Sequence, residues 1–352
     1  MSAAGNTRAR ELTSPSLWEE GDLVTRSMLE VRDLRVHYHT PRGAVRAVDG
    51  ISFDLRAGER LGIVGESGSG KSTVALALLR LIKPPGRVES GEAWIDGVDL
   101  LTLPEKEMRK WRLATIALVA QGAMNSLNPV LRVREQIVDA LRDHDEGLTR
   151  AGTEARVREL LEHVGLPARA ADRYPHELSG GMKQRVVIAI AISLRPKVII
   201  ADEPTSALDV VVQRQVIQTL RRVQEELDAS IILVGHDMGL MAQVVDRLGV
   251  MYAGRLTEVS EVHAIFREPL HPYSQLLIAS LPTLAHKASL TGIPGLAPSL
   301  LERPRGCSFR SRCPRAMERC ASETPKLREV RSDRWVACHL YDEARAELPV
   351  GA

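Results

Sequence analysis

The sequence predicts an α/β fold in which helices cover both faces of a mainly parallel sheet. Two observations support this prediction: short apolar strands alternate with helix-forming stretches, and a glycine-rich loop separates one such strand from a helix. The chain has 352 residues, a formal net charge of +2 and 3% aromatic residues. Because this composition is poor in side chains that stack on bases, we expect no nucleic-acid partner.

Composition divides the chain into three regions. Residues 1–27 are polar and lack the apolar core of a signal peptide, which predicts a disordered tail. Residues 28–268 are expected to form the main domain, with a helical subdomain at about residues 122–192. Residues 269–352 are rich in proline and arginine and are expected to form a smaller extension. No stretch reaches 18 apolar residues, so we expect no membrane span and a cytosolic chain.

Short apolar runs predict the strands, because a strand that is buried on both faces is apolar throughout. Stretches rich in good helix formers predict the helices. In chain order the predicted strands span 28–36, 47–55, 61–65, 93–96, 115–119, 198–201 and 230–234, followed by a hairpin at 250–256 that turns at Gly254. The predicted helices span 74–80, 154–164, 182–193 and 210–227, and Thr153 is expected to cap the second of them.

The glycine-rich loop matches the phosphate-binding pattern G-x-x-x-x-G-K-[ST]. Its glycines allow a tight curl that points backbone N–H groups at a phosphate, next to the positive end of a helix. Lys71 can reach the β- and γ-phosphates, and the hydroxyl of Ser72 can bind Mg²⁺. A flexible linker is the alternative, and the strand before the loop and the helix after it argue against it. The predicted phosphate-binding residues are Gly65, Glu66, Ser67, Gly68, Ser69, Gly70, Lys71, Ser72 and Thr73.

Polar residues also follow three other predicted strands. Asp202 and Glu203 form one such pair, and Gln121 and His236 follow the two remaining strands. Ligands of α/β sheets sit at the carboxyl ends of the strands, so we expect these groups to gather there. Asp202 would orient Mg²⁺, and Glu203 would face the attacking water. Each residue alone could be an ordinary polar strand end.

A second predicted anion site lies more than a hundred residues from the first. Ser179, Gly180 and Gly181 precede or begin a predicted helix, and the amino end of a helix attracts anions. One nucleotide needs only one phosphate loop, so we expect two copies to face each other, each covering the ATP of the other. A capped helix with a glycine-rich entry is the plain alternative.

These motifs together resemble those of the ATP-binding-cassette (ABC) ATPases and occur in that family's order between about residues 28 and 266. The resemblance implies a P-loop NTPase fold, specifically an ABC nucleotide-binding domain with a helical subdomain, that binds ATP and Mg²⁺. It implies that Tyr38 stacks on adenine, although an ordinary strand tyrosine remains possible, and that residues 206–209, ending at Asp209, couple the two sites of a dimer. The implied catalytic residues are Glu203, His236, Lys71 and Gln121. The implied Mg²⁺ ligands are Ser72, Gln121 and Asp202. The resemblance also implies that residues 121 and 124–129 contact a membrane partner.

The carboxyl-terminal region resembles the extension of dipeptide and oligopeptide importer ATPases, in its His271-Pro-Tyr273 and Ile293-Pro-Gly295 segments and in its four cysteines. The resemblance implies an ATPase on the cytoplasmic face of the membrane. Its implied partners are a second ATPase subunit (identical or a paralogue), two transmembrane permeases and an extracytoplasmic solute-binding protein. Importers of nickel or oligosaccharides are alternatives. So is a soluble ABC ATPase without a transporter, which the single phosphate loop disfavours.

The cysteines are Cys307, Cys313, Cys320 and Cys338. Their spacing alone leaves open a zinc ion, an iron–sulfur cluster or free thiols. The resemblance implies a [4Fe–4S] cluster that all four hold, with zinc as the alternative and either a structural or a redox-sensing role. Nine arginines lie between Arg303 and Arg334, and we expect most of them to form a solvated basic face.

Overall fold

The computed structural model describes residues 27–122, 126–144, 149–281 and 292–342. The predicted tail therefore lies outside the described residues except for Ser27, and so do Met124 and Asn125 of the predicted partner-binding segment.

An eight-stranded sheet forms the centre of the fold. Its strands lie in the order β11-β12-β10-β9-β3-β8-β7-β6. The five strands from β9 to β6 are parallel to one another, whereas β10, β12 and β11 pair in antiparallel fashion. These strands are β3 (Arg60–Val64), β6 (Ile116–Val119), β7 (Val198–Asp202), β8 (Ser230–Gly235), β9 (Arg247–Tyr252), β10 (Arg255–Glu261), β11 (Arg328–Arg331) and β12 (Arg334–Val336).

A second, antiparallel sheet has four strands in the order β2-β1-β4-β5. It consists of β1 (Ser27–Thr40), β2 (Gly43–Arg56), β4 (Gly86–Ile95) and β5 (Val98–Asp99). The helices are α1 (Lys71–Leu78), α2 (Glu105–Trp111), α3 (Val133–Arg142), α4 (Arg150–His163), α5 (Gly180–Ala191), α6 (Val210–Leu227), α7 (Met238–Val244), α8 (Val262–Arg267) and α9 (Pro272–Ala279).

The central sheet separates two apolar cores, because side chains alternate between the faces of a strand. In β7, Val198 and Ile200 face a core shared with α1 and the antiparallel sheet. Ile199 and Ala201 face the other core, which includes residues of α3 to α7. All four side chains are buried, which explains why this strand is apolar throughout.

The helix that was expected to begin after Thr153 begins four residues earlier. Thr149 is its amino-terminal cap and accepts a hydrogen bond from the backbone N–H of Gly152 at 3.2 Å. The hydroxyl of Thr153 instead donates to the carbonyl of Thr149 at 2.9 Å. The prediction of Thr153 as the cap was therefore wrong: both threonines can cap a helix, and only the first precedes a free turn of backbone N–H groups.

Candidate functional site

The carboxyl ends of four parallel strands bring the predicted polar residues to one edge of the sheet. Strands β3, β8, β7 and β6 are neighbours in that order. In register, Val64 pairs with Gly235, Asp202 with Val234 and Val119 with Ala201, so the four strands end at nearly the same level. The residues that follow the strands therefore share one edge, as the sequence predicted.

The phosphate-binding loop approaches neighbouring backbone closely. A Cβ on Gly65 would lie 2.1 Å from the carbonyl oxygen of Met251, and one on Gly70 would lie 2.2 Å from that of Ala47. Gly70 also has a φ of 104°, which L side chains rarely adopt. Only glycine fits at both positions, which explains the spacing of the motif.

Lys71 folds back over this loop. Its Nζ donates to the carbonyls of Gly65 and Glu66, each at 2.9 Å. The side chain is buried, and burial lowers the pKa of Lys71 below its ordinary value, although the charges of Glu203 and Asp202 oppose that effect. The amine is thus held in a loop shaped for phosphate, and anionic oxygens would be stronger acceptors than the two carbonyls.

The oxygen-bearing side chains of Ser72 and Asp202 lie next to each other. The Ser72 hydroxyl donates to Oδ1 of Asp202 at 3.1 Å. Burial raises the pKa of Asp202, and the hydrogen bond from Ser72 partly counters the shift. A buried carboxylate beside a hydroxyl is the kind of oxygen pair that Mg²⁺ prefers. The two residues therefore fit the predicted role in Mg²⁺ binding.

Glu203 is held by the side chains of two neighbouring strand ends. Gln121 Nε2 donates to its Oε2 at 2.7 Å, and His236 Nδ1 lies 3.4 Å from its Oε1. The backbone of Glu203 has a φ of 45°, which is costly for a residue with a Cβ. Its N–H donates to the carbonyl of Val234 at 2.8 Å, so the sheet itself holds this conformation.

The second predicted anion site caps α5. Ser179 accepts a hydrogen bond from the backbone N–H of Met182 at 3.3 Å, and α5 begins at Gly180. A Cβ on Gly181 would lie 2.4 Å from Val212 Cγ1, so this glycine allows α6 to pack closely. Asp209 caps α6 by accepting from the N–H of Val212 at 2.9 Å. Val212 thus contacts Gly181 and also donates its backbone N–H to Asp209.

Tyr38 lies in β1, where it pairs with Val45 of β2 and Gly86 of β4. Its ring packs against Gly86, since a Cβ there would lie 2.6 Å from Tyr38 Cε1. Among the described residues, neither Tyr38 nor Ser179 forms a hydrogen bond or an ion pair with the phosphate-binding loop. Both stay predictions as parts of the nucleotide site.

The extension contacts the phosphate-binding loop, which the sequence did not predict. Arg312 forms an ion pair with Glu66, and the hydroxyl of Tyr273 accepts a hydrogen bond from the Glu66 N–H. Tyr273 stood out only as part of His-Pro-Tyr, and Arg312 was one of nine arginines without a distinguishing signal. The contact joins residues 246 positions apart, which a single sequence does not reveal.

The four cysteines line one small cavity in the extension. None of the four forms a disulfide, and burial raises the pKa of Cys307, Cys313 and Cys338, the last to about 11. The backbone N–H of Cys307 donates to the carbonyl of Cys320 at 3.0 Å, which joins two distant cysteine loops. A bound cation would stabilise the thiolate form of these cysteines and would therefore lower their pKa values.

His339 also lines this cavity but is already engaged. Its Nδ1 lies 2.7 Å from Asp342 Oδ2, and its Nε2 lies 3.0 Å from the carbonyl oxygen of Glu323. Within residues 27–122, 126–144, 149–281 and 292–342, no group of three or more His, Cys, Asp or Glu side chains is placed to hold a single metal ion. The four cysteines share this cavity with His339, whose two ring nitrogens already have partners.

Most of the nine arginines in the extension are exposed, as expected for a largely solvated basic face: these are Arg305, Arg315, Arg319, Arg328 and Arg331. Six of the nine also form ion pairs with carboxylates, four of them with acidic groups of residues 28–268 and two with acidic groups of the extension itself. These six pairs are Arg303–Asp49, Arg312–Glu66, Arg319–Glu323, Arg328–Asp342, Arg331–Glu268 and Arg334–Glu268.

Among the helices that the structure describes, none combines the length and the apolar character needed to cross a membrane.

Two family models match the chain. The model described as ABC transporter matches residues 48–206. The model described as the carboxyl-terminal region of oligopeptide/dipeptide transporters matches residues 257–320. The first match contains the phosphate-binding loop, Gln121 and Glu203, and the second contains Tyr273, Arg312 and three of the cysteines.

Curated relatives align over most of the chain. The dipeptide transport ATP-binding protein DppD of Escherichia coli (strain K12) is 44% identical over 327 residues, covering 92% of this chain and 100% of that protein. The oligopeptide transport ATP-binding protein OppD of Salmonella typhimurium (strain LT2) is 45% identical over 314 residues, covering 88% of this chain and 93% of that protein.

Solved structures share the fold of the main domain. The dimeric structure of MJ0796, a bacterial ABC transporter cassette, has a TM-score of 0.60 at 28% identity, covering 67% of this chain and 99% of that chain. The cbiO1 protein from Clostridium perfringens, part of the ABC transporter complex cbiONQ, has a TM-score of 0.58 at 27% identity, covering 69% of this chain and 91% of that chain.

Proposed function

Since the chain belongs to the ABC transporter ATPases of the dipeptide and oligopeptide importer group, we propose that it energises uptake of short peptides by hydrolysing ATP. The family membership and the ABC fold predicted from the sequence are confirmed, and so is the prediction of an ATPase. The observation that carries the proposal is the gathering of Lys71, Ser72, Asp202 and Glu203 at one sheet edge, in a chain whose full-length relatives are peptide transport ATP-binding proteins.

In the proposed mechanism, Lys71 exchanges its two carbonyl partners for the β- and γ-phosphate oxygens of ATP. The loop N–H groups and the amino end of α1 bind the same phosphates. Ser72 and Asp202 would hold Mg²⁺, which when bound neutralises phosphate charge and orients the triphosphate.

Glu203 faces the attacking water and accepts its proton or fixes its position. Gln121 and His236 keep the carboxylate of Glu203 in place through the contacts described above, and His236 can also contact the γ-phosphate. Because these groups come from three strand ends of one rigid sheet, little reorganisation is needed at the moment of reaction.

We propose that two cassettes sandwich two ATP molecules, with Ser179, Gly180 and Gly181 of each covering the nucleotide of the other. The amino end of α5 offers the free backbone N–H groups that such a contact requires. The relative MJ0796 is itself dimeric by its own description. Closing and opening of the pair would move two permeases at the cytoplasmic face of the membrane, with a solute-binding protein delivering cargo from outside.

We also propose that the four cysteines hold a [4Fe–4S] cluster. The support for this proposal is that all four cysteines line one cavity, since a [4Fe–4S] cluster would be held by four thiolates. A single zinc ion held by the same four sulfurs is the alternative. Such a cluster would supply a bridge that holds the loops of the extension together.

Transport by the reconstituted complex tests the peptide function. The protein would be copurified with its membrane subunits and placed in liposomes with labelled dipeptide, longer peptide, nickel or oligosaccharide. We expect ATP-dependent uptake of a peptide and none of nickel or sugar. Uptake of nickel or oligosaccharide but not of peptide would contradict the proposed peptide cargo. ATP hydrolysis without any membrane partner would favour an ATPase that is not part of a transporter.

Anaerobic purification tests the cluster. We expect a brown protein that contains iron and acid-labile sulfide, and loss of both in the Cys320→Ser variant. Stoichiometric zinc without iron would contradict the cluster and favour the zinc alternative.

A further inference from the structure

The extension holds both the backbone and the side chain of one residue in the phosphate-binding loop. Arg312 Nη1 donates to Glu66 Oε2 at 2.8 Å, and Arg312 Nη2 donates to Glu66 Oε1 at 2.9 Å. The backbone N–H of Glu66 donates to Tyr273 Oη at 2.9 Å. A bidentate guanidinium–carboxylate pair fixes the relative orientation of the two side chains as well as the distance between them.

All three nitrogens of the buried Arg312 guanidinium have hydrogen-bond partners. The side chain is 4% exposed. Its Nε donates to the carbonyl of Pro294 at 2.8 Å, and its two terminal nitrogens also reach Tyr252 Oη at 3.2 Å and the carbonyl of Ile293 at 3.3 Å. A buried group with this many partners cannot swing away without leaving donors unpaired.

An aromatic cluster packs against the side chains of Arg312 and Tyr273, which hold Glu66. The ring of Tyr252 lies 4.6 Å from that of Tyr273 and 5.1 Å from that of Phe309, measured between centroids. The Arg312 guanidinium lies 5.8 Å from the Tyr252 centroid and 6.0 Å from the Phe309 centroid. Phe309 and Arg312 both lie between Cys307 and Cys313. The segment that bears these two cysteines therefore also supplies the arginine that contacts the phosphate-binding loop.

Glu66 also contacts the lysine that binds phosphate. Its carbonyl oxygen accepts a hydrogen bond from Lys71 Nζ at 2.9 Å. The residue that Arg312 and Tyr273 hold is therefore a direct partner of Lys71, and it lies two positions after the end of β3.

We propose that Arg312 is a positioning residue for ATP binding, which acts by fixing Glu66 and thereby the shape of the phosphate-binding loop. The proposal rests on the ATPase function proposed above. Loss of the ion pair would allow the loop to adopt other conformations. The apparent affinity for ATP would then fall, because a smaller fraction of the molecules would have the loop in its binding-competent conformation. If the pair only fastened the extension to the main domain, its loss would lower stability and leave the ATP affinity of the folded protein unchanged.

A double-mutant cycle on the full-length protein separates these roles. The variants are Arg312→Gln, Glu66→Gln and the double variant, and the readouts are the Kd for Mg²⁺-ATP by calorimetry and the thermal midpoint without nucleotide. We expect each single variant to bind ATP about tenfold more weakly, or about 1.4 kcal/mol, and the double variant to bind no more weakly than either single variant.

Arg319→Gln is the matched control. Arg319 precedes Cys320 as Arg312 precedes Cys313, but it pairs with Glu323 and Asp342 inside the extension. We expect its Kd for ATP to equal that of the wild type.

Wild-type ATP affinity in folded Arg312→Gln would overturn the proposal, and so would independent, additive losses in the double variant. If Arg312→Gln does not fold, Glu66→Gln decides, because it leaves the cysteine segment untouched and its side chain is 27% exposed. Failure of the wild type itself to bind ATP would instead refute the proposed ATPase function.

Discussion

The carboxylate of Glu203 accepts a hydrogen bond from Gln121, with Nε2 and Oε2 2.7 Å apart. The two residues are 82 positions apart and lie at the ends of adjacent parallel strands, β7 and β6. A residue that directly precedes the helical subdomain thus holds the carboxylate that is proposed to face the attacking water. A movement of that subdomain would therefore act directly on the proposed catalytic carboxylate.

Replacing Glu203 by Gln should stop hydrolysis but not binding. The amide cannot accept a proton from water, and a positioned general base contributes roughly a hundredfold or more to rate. We expect the variant to bind Mg²⁺-ATP with nearly wild-type Kd and to accumulate as a dimer in gel filtration with ATP. The control Glu225→Gln changes an exposed, ion-paired glutamate of α6 and should hydrolyse ATP normally. Wild-type turnover by Glu203→Gln would remove Glu203 from the proposed mechanism.

Replacing Lys71 by Ala should weaken ATP binding itself. Hydrogen bonds to charged groups are worth about 1.5–3 kcal/mol each, so we expect Kd to rise by at least about tenfold. Calorimetric titration of Mg²⁺-ATP measures this directly. The matched control is Lys110→Ala, because Lys110 is exposed and pairs only with Glu107 on α2. An unchanged Kd for Lys71→Ala would show that the amine does not contact the phosphates.

A methyl group on Gly306 should disrupt the cysteine cavity. Gly306 has a φ of 74°, and a Cβ would lie 2.4 Å from the carbonyl oxygen of Cys320. That carbonyl accepts the hydrogen bond from Cys307, so Gly306→Ala should separate the two cysteine loops. We expect the variant to lose most of its iron after anaerobic purification and to melt at a lower temperature.

Gly97→Ala isolates the steric part of this effect. Gly97 has a similar φ of 76°, but a Cβ there meets nothing within 4 Å. Both variants incur the same cost of a left-handed backbone, about 1 kcal/mol, and only Gly306→Ala adds a collision. Equal iron content and equal melting temperatures in the two variants would refute the predicted clash.

Asp49 should contribute stability that depends on pH. It is 3% exposed and pairs with Arg303, Arg255 and Arg35. Burial acts to raise the pKa of Asp49, but the hydrogen bond from Arg255 and the three positive charges outweigh it and hold the pKa below its ordinary value. Removing the carboxylate would leave three guanidinium groups close together, at a cost of roughly 3 kcal/mol in the free energy of unfolding.

The sign of the pH effect follows from the lowered pKa. The contribution of Asp49 is fully present above its unfolded pKa of about 3.9 and is lost as the pH falls through the lower folded value. In urea denaturation, we expect Asp49→Asn to be less stable than the wild type by a constant amount from pH 8 to 5 and by less below about pH 4. Asp139→Asn, at an exposed position on α3, serves as the control. A difference that grows in acid would contradict the assignment.

The sheet edge that carries the nucleotide site was predictable because each of its parts is local. A strand followed by acids at Asp202 and Glu203, or by a glycine loop and Lys71, can be recognised one motif at a time, and parallel pairing then brings the ends together. The start of α4 was harder to locate, because Thr149 and Thr153 have the same capping chemistry. The ion pair of Arg312 with Glu66 was beyond prediction, since any of nine arginines in the extension could have been the partner.

The pairing of β12 with β10 makes the extension part of the central sheet. Glu258 and Val259 of β10 pair with Val336 and Trp335 of β12, and Arg56 of β2 pairs with Asp333 in the turn before β12. A chain cut after residue 268 would leave β10 as an unpaired edge strand, and such an edge can pair with other chains and promote aggregation. Anyone shortening this protein to a minimal cassette, or grafting its tail onto another, would first have to design a replacement for that edge.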